Sequence, residues 1–387
     1  HIESDAHAAR RMEEWALRWG ANIDVQLDGP HRRAALRQLL RERENLLAIY
    51  DRTLSERPGV ALAVVMPLQH LFAVHGRLTG YAERLDRALE LAGERVDPTL
   101  RARALLVRAS RSWPRYTPAR GLADASEAVE LARQAGDAEL EGSARRVRGW
   151  IHRTQRRHAE AADEFSAALQ LQRRVGDASG EARTLCALGE LLRSQAKFPA
   201  AEEAFRAALQ IHQSLGQRRR AAVAQHHLGA VLQDAGRLEE AMRVKLATIA
   251  LLREEGDRVL EEVALCNLGN AYLYRGEHDR ALECYEASLA LCVELGRRMD
   301  EARTLGNVGC LHHQAGDLQR ANEFFARALD LHRELGAHEP SWLLGDRATV
   351  LHEQGRLSEA RSEYGRAIDA ARASSNRADE ARWLGFL

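Results

Sequence analysis

Glycine returns every 40 residues through most of this chain, at Gly136, Gly176, Gly216, Gly256, Gly296 and Gly336. A unit this short cannot bury its own apolar face, so each copy must stack on its neighbours. Other columns keep the same interval. Thirteen residues after the first five glycines stand Gly149, Gly189, Gly229, Gly269 and Gly309, and twelve further on stand Ala161, Ala201, Ala241, Ala281 and Ala321. Four beyond these come Phe165, Phe205, Lys245, Tyr285 and Phe325. A small-plus-aliphatic dyad closes each unit, as in Ala168-Leu169 and Ser288-Leu289. The sixth unit repeats the pattern one residue early, at Ala360, Tyr364 and Ala367-Ile368, so a residue is missing from its first half.

The dyad continues upstream at Ala128-Val129 and Ala88-Leu89, and Gly76-Arg77-Leu78 precedes Gly236-Arg237-Leu238 by 160 residues. This organisation predicts an N-terminal helical segment over 1–55, acting as linker or cap, and two degenerate helix pairs over 56–135. Six clear units over 136–374 follow, then the start of a further helix over 375–387, a cap or truncated repeat. Within a unit the apolar residues fall three or four apart, as in Leu265, Leu268 and Tyr272, then Ala281, Tyr285 and Leu289. That spacing is helical. Gly276 separates the two stripes, and the boundary glycine supplies the natural C′ residue of the second. Prolines number only 8 and aromatics make up 5% of the chain, which leaves few strand formers.

The run Leu268-Gly269-x-x-Tyr272, followed by Ala281-x-x-x-Tyr285, resembles the tetratricopeptide repeat. That resemblance implies an all-α solenoid, a right-handed superhelix of antiparallel helix pairs, with helices longer than usual to give 40 residues per unit. Lys245 departs from the aromatic column, and Leu246 is expected to fill the space. A second resemblance lies in Glu44-Asn45-Leu46-x-x-Ile49, His75-Gly76-Arg77-Leu78 and Leu85-Asp86-Arg87-Ala88-Leu89. It is similar to the junction between the nucleotide-binding core and the repeat tail in bacterial signal-transduction ATPases of the STAND class. The implied role is a regulatory sensor region of a larger signalling ATPase or transcriptional regulator. A free-standing adaptor that scaffolds a complex is the alternative. Residue 1 is His, so the sequence reads as a fragment.

No catalytic residue emerges. A phosphate-cradling loop needs Gly-Lys before Ser or Thr, and the two lysines follow Ala196 and Val244. HExxH, Gly-x-Ser-x-Gly and GxGxxG are absent, so no enzyme activity and no cofactor are expected. Five cysteines without a CxxC pair fit reduced thiols in a cytoplasm. His226, His227, His313, Cys186, Cys266 and Cys310 lack ligand spacing, so no metal site is expected. The 56 basic and 56 acidic side chains balance, which gives no footprint for nucleic acid or a membrane surface. The longest apolar stretch, Val60 to Val74, is interrupted by Pro67, Gln69 and His70 and falls short of the ~20 residues a membrane span needs.

What remains is binding. In the tetratricopeptide family the first helix of each unit lines a concave groove, which implies a protein or peptide partner there, including a segment of the same protein. On the family register the groove residues are Arg146, Trp150, Arg153, Arg183, Arg193, His226, His227, Asn267, Asn270, Tyr274, Arg303, Asn307 and His313. Five arginines against Glu190 and Asp234 make this face basic. Asn267, Asn270 and Asn307 match positions where the family uses carboxamides, each donor and acceptor at once, to bond a peptide backbone. The competing reading is that the arginines are solvated and the asparagines bond neighbouring helices.

Overall fold

The computed structural model describes residues 2–28, 32–71, 80–93, 96–110, 117–374 and 376–386. His75-Gly76-Arg77-Leu78 lies outside the described residues. Among those described there are nineteen α-helices and no strand. They form two compact units, 1–256 and 257–387.

The first unit opens with α1 (Ile2–Asp28), α2 (Arg32–Thr53) and α3 (Pro58–Val65), the last running into a 3-10 turn at Met66–Leu68. Ile23, Leu27, Leu39, Leu46 and Ile49 are buried between them, and Trp15 stacks on Trp19 at 5.6 Å. Glu13 is buried as well, held by Arg52 at 3.1 Å and Arg57 at 2.5 Å. A buried carboxylate needs such partners. Next come α4 (Tyr81–Ala92), α5 (Pro98–Ala109) and α6 (Pro118–Gln134), and the Tyr50 hydroxyl donates to the Arg84 carbonyl at 2.8 Å, tying α2 to α4.

From here the pattern is regular. The first unit continues with the pairs α7 (Ala138–Thr154) and α8 (His158–Val175), α9 (Ala178–Ser194) and α10 (Phe198–Ser214), and α11 (Arg218–Asp234) and α12 (Leu238–Glu255). The second unit holds α13 (Arg258–Tyr274) and α14 (His278–Glu294), then α15 (Arg298–Gln314) and α16 (Leu318–Glu334). It ends with α17 (Ser341–Glu353), α18 (Leu357–Ala373) and α19 (Arg377–Leu384). Two 17-residue helices and two three-residue links account for the 40-residue period, as α9 and α10 show. The sixth unit is shortened where the sequence drops a residue: α17 has 13 residues and starts after Pro340.

Each link has a local cause. Gly176 takes φ +74° and ends α8, while Asp177 accepts from the Gly180 amide at 2.7 Å and caps α9. The Asp177 amide closes back on the Gln172 carbonyl at 2.9 Å, satisfying an acceptor the helix leaves orphaned.

The glycine inside each first helix is there for a different reason. A Cβ on Gly269 would lie 2.6 Å from the Tyr285 ring, and one on Gly309 would lie 2.7 Å from Phe325. The aromatic column thus packs on the glycine of its own repeat. It also reaches the next one, since Phe205 shares a core with Leu228, Val231 and Leu232. Lys245 corrects the expectation for its column. Leu246 is 48% exposed, whereas Lys245 is buried. The Lys245 stem lies where a Cβ on Gly229 would meet it at 3.1 Å, and its Nζ donates to Gln233 Oε1 at 2.6 Å. A long aliphatic stem replaces a ring, and a carboxamide takes the ammonium.

Candidate functional site

The thirteen groove candidates all lie on first helices, and the bonds several of them make join consecutive first helices. In the first unit, Arg153 on α7 pairs with Glu190 on α9 at 2.8 Å. Arg193 on α9 pairs with Asp234 on α11 at 2.5 Å. His227 reaches Glu190 at 3.3 Å and stacks on Phe205 at 5.4 Å, with His226 edge-on to it. Burial holds both imidazoles down to a pKa of about 4, helped for His226 by His227, Lys245 and Arg193, and for His227 by Arg193 and Arg153. Trp150 is half-buried against the core of α7, α8 and α9, so its ring is chiefly packing.

These pairings change the electrostatic expectation. Glu190 and Asp234 are the two acids counted on this face, and both are engaged by Arg153 and Arg193. Arg183 and Arg220 lie near enough to Arg146 to act on its charge. Among the described residues no carboxylate pairs with Arg146, and its buried Nε has no hydrogen-bond partner. Burial first, then Arg183 and Arg220, pull the Arg146 guanidinium down to a pKa of about 9.

The second unit handles charge differently. Arg303 on α15 meets Asp300 at 3.1 Å and the fully buried Glu262 of α13 at 3.5 Å. Arg297 meets the other Glu262 oxygen at 3.5 Å, and the Ser288 hydroxyl donates to Glu262 at 3.0 Å. Burial, reinforced by Asp300, raises the Glu262 carboxyl above the usual carboxylate range. His313 reaches Glu353 at 2.9 Å. Arg382 reaches Asp346 at 3.2 Å. This face is not basic.

The asparagine ladder is largely spoken for. Asn270 Oδ1 accepts the Tyr285 hydroxyl at 2.7 Å inside one repeat. Asn307 donates to Cys266 Sγ at 3.3 Å, across to the neighbouring first helix. Asn267 is engaged too. The reading in which asparagines stiffen the stack is the one the bonds follow. Tyr274 is the exception in this unit, 75% exposed at the end of α13. Among the described residues no group of His, Cys, Asp or Glu is placed to hold a metal ion. None of the described helices is long and apolar enough to cross a membrane.

Register reading missed Arg220, Glu262 and Asp346. A signal for the first two exists in the columns. Glu262 and Asp300 compensate Arg303; at the equivalent places around Arg183 stand Gly142 and Gly180, and Arg220 occupies the Asp300 column one repeat on.

Stacked helix pairs, a glycine under Phe165, Phe205, Tyr285 and Phe325 and a ladder between first helices define an α-solenoid of the helix-pair type. The family model for the tetratricopeptide repeat matches residues 151–214, 180–254, 220–292 and 260–334. Residues 151–334 carry tetratricopeptide repeats. No curated protein matches its sequence. Among solved structures it is similar to a Rap protein complexed with competence and sporulation factor, at 14% identity and TM-score 0.64 over 93% of this chain and 98% of that one. Aspartyl phosphate phosphatase F from Bacillus subtilis gives 13% identity and TM-score 0.56, covering 93% of each chain. A STAND protein with a tetratricopeptide repeat sensor from Pyrococcus horikoshii gives 12% and 0.59, over 88% of this chain and 55% of that one. At these identities the likeness is one of fold.

Proposed function

We propose that this chain is a non-catalytic, protein-binding regulatory array whose first-helix face takes a protein or peptide segment, including one from the same protein. The observation that carries the reading is a contrast on that face. Most of its polar groups are engaged with one another, while in the first unit Arg146 keeps a buried Nε with no hydrogen-bond partner among the described residues, and in the second unit the Tyr274 ring is left 75% exposed. Arginine and tyrosine are the side chains that most often anchor interfaces. Within each compact unit the consecutive first helices present a continuous surface, suited to a chain segment more than to a small molecule.

The likeness to a Rap protein solved with competence and sporulation factor, and to a STAND protein whose repeats are called a sensor, supports a regulatory role. In this reading residues 1–55 link the repeats to an ATPase or transcriptional regulator, 56–135 and 136–374 form the array, and 375–387 cap it. The adaptor reading shares the same face and differs only in lacking an attached enzyme.

Site-specific photo-crosslinking in the intact protein tests the face. A photoreactive residue at Tyr274 should capture partner, and one at Val293, 67% exposed on the second helix α14, should not. Equal capture at both positions rejects the assignment.

A further inference from the structure

Helix α1 buries one stripe of residues and leaves a second, partly apolar one towards water. Glu13, Ala16, Gly20, Ile23 and Leu27 recur three or four residues apart and are buried, with Gly20 so close to the 3-10 turn that a Cβ there would meet Pro67 at 3.3 Å. On the adjoining flank, at about 100° per residue, fall Met12, Trp15 and Trp19, with Arg11 and Arg18 beyond them. Met12 is 43% exposed, both arginines are exposed, and the two tryptophans are half-buried and stacked on each other at 5.6 Å. Arg11 and Arg18 stand one turn before and one turn after Trp15.

Nothing inside the bundle of α1, α2 and α3 calls for these two cations. Glu13, its buried acid, is met by Arg52 at 3.1 Å and Arg57 at 2.5 Å. Among the described residues no carboxylate pairs with Arg11 or Arg18, and Arg18 Nε donates to the main-chain carbonyl of Glu14 at 3.2 Å, not to its carboxylate. The outermost helix of a stacked array normally turns a polar face to water. On α1 that place holds a methionine and two tryptophans between arginines, and tryptophan and arginine are the residues that dominate binding energy in protein interfaces.

We propose that the Met12, Trp15 and Trp19 flank of α1, edged by Arg11 and Arg18, docks an acidic amphipathic helix of a partner protein. The apolar strip is two turns long and narrow, which matches the three or four anchors that a helix presents at i, i+3 or i+4 and i+7. The arginines at its edge set the charge of the partner: carboxylates flanking those anchors would meet guanidinium forks that have no acid of their own. A lipid surface fits less well. A helix lying in a membrane interface sinks its most apolar face into the lipid, and that face of α1 is already buried against α2 and α3. This docking face is separate from the first-helix face and does not depend on it.

Fluorescence anisotropy on the full chain tests the face with three labelled synthetic peptides of about 20 residues. One carries leucine at helical spacing with glutamate and alanine elsewhere. The second replaces glutamate by lysine, and the third scrambles the first so that no stripe forms. The striped acidic peptide should bind saturably and more weakly as salt rises, and the other two should bind at least about tenfold less tightly. Trp15→Ala should lower affinity about thirtyfold, the loss typical of a central anchor. Arg11→Glu with Arg18→Glu changes only exposed positions, leaves the bundle folded and should turn the preference towards the lysine peptide. Leu357→Ser, at a 60% exposed position of the second unit, should leave binding unchanged. Scrambled and striped peptides binding alike, a preference for acid that survives the charge reversal, or no saturable binding below about 1 mM overturns the proposal. Binding to phosphatidylserine vesicles without binding to the striped peptide, lost on charge reversal, overturns it in favour of a lipid surface. The cross-link at Tyr274 reports on the other compact unit, so either result can fail while the other stands.

Discussion

Arg183 and Arg303 occupy the same column of the repeat, one in each compact unit, and their surroundings are opposite. Around Arg303 the second unit has built carboxylates at 3.1 and 3.5 Å, one of them fully buried. Around Arg183 the first unit places Gly142, Gly180 and two further arginines. At Arg303 the counter-ions come from the neighbouring first helix and from its own, and there the arginine cements adjacent repeats. Family register alone marks both positions as binding residues, and only the neighbours separate them.

The largest effect that can break this comparison is at Glu262. Removing one member of a buried ion network leaves the others uncompensated and costs about 3–5 kcal/mol. Glu262→Ala should therefore lower the stability of the second unit by about 3 kcal/mol, the lower end of that range, because Asp300 still faces Arg297 and Arg303. Hydrogen exchange is the suitable readout, because it follows the amides of each unit separately where a single melting curve would not. Protection lost in α13 and α15 with α7 and α9 unaffected supports the division of roles. A change under about 1 kcal/mol would mean that Glu262 does not cement α13 to α15.

Acid gives the next effect, and it falls on the first unit. Burial keeps His226 and His227 neutral down to a pKa of about 4, while an unfolded histidine takes its proton near 6.5. Between those values the unfolded chain binds more protons than the folded one. The stability that neutral burial provides is fully present above about pH 6.5 and is lost as pH falls towards 4. The pair should cost the first unit on the order of 3 kcal/mol over that window. Glu262 has the opposite sign, since a raised carboxyl pKa makes the second unit lose stability as pH rises above the ordinary carboxylate value. Exchange measured at pH 7 and pH 5 should show the first unit weakening more than the second. Substituting both imidazoles, His226→Gln with His227→Gln, should flatten the first unit's response.

How far the sequence carried these conclusions depends on the kind of feature. Backbone requirements were legible, because a left-handed link or a ring lying on an α-helix admits so few residues that the same one returns at each repeat; Gly176 at φ +74° and Gly269 beneath Tyr285 are examples. Space filling was less so. Lys245 does with its stem what phenylalanine does elsewhere, which hydrophobicity hides. The face between first helices was legible in position but not in meaning. Whether Asn270 is available depends on the Tyr285 hydroxyl fifteen residues away, and whether Arg303 is available depends on Glu262 one repeat back, outside the groove positions of the family. Such partners come from the stacking offset between repeats, which a single column does not display.

The smallest effect sharpens the same comparison at the backbone. The link from first to second helix needs a residue with positive φ. In the second unit Gly276, Gly316 and Gly355 supply it, at +74°, +79° and +76°. In the first unit Arg156 and Ala196 are forced to +61° and +57°, and of the three links after α7, α9 and α11 only that at Gly236 matches the second unit. A residue with a Cβ loses roughly 1–2 kcal/mol in this region, whereas glycine gives up about 0.5–1 kcal/mol through the greater freedom of the unfolded chain. The first quantity exceeds the second, so Ala196→Gly should stabilise the first unit by about 0.5 kcal/mol, and Arg156→Gly should do the same. Denaturant midpoints of the two variants, and exchange in α9 and α10, check the sign. Destabilisation by either would show that these links are not strained and that the first unit's side chains at 156 and 196 contribute contacts of their own. Stabilisation by both would place the first unit's strain at its inter-helix links, apart from the charge it concentrates on α7, α9 and α11.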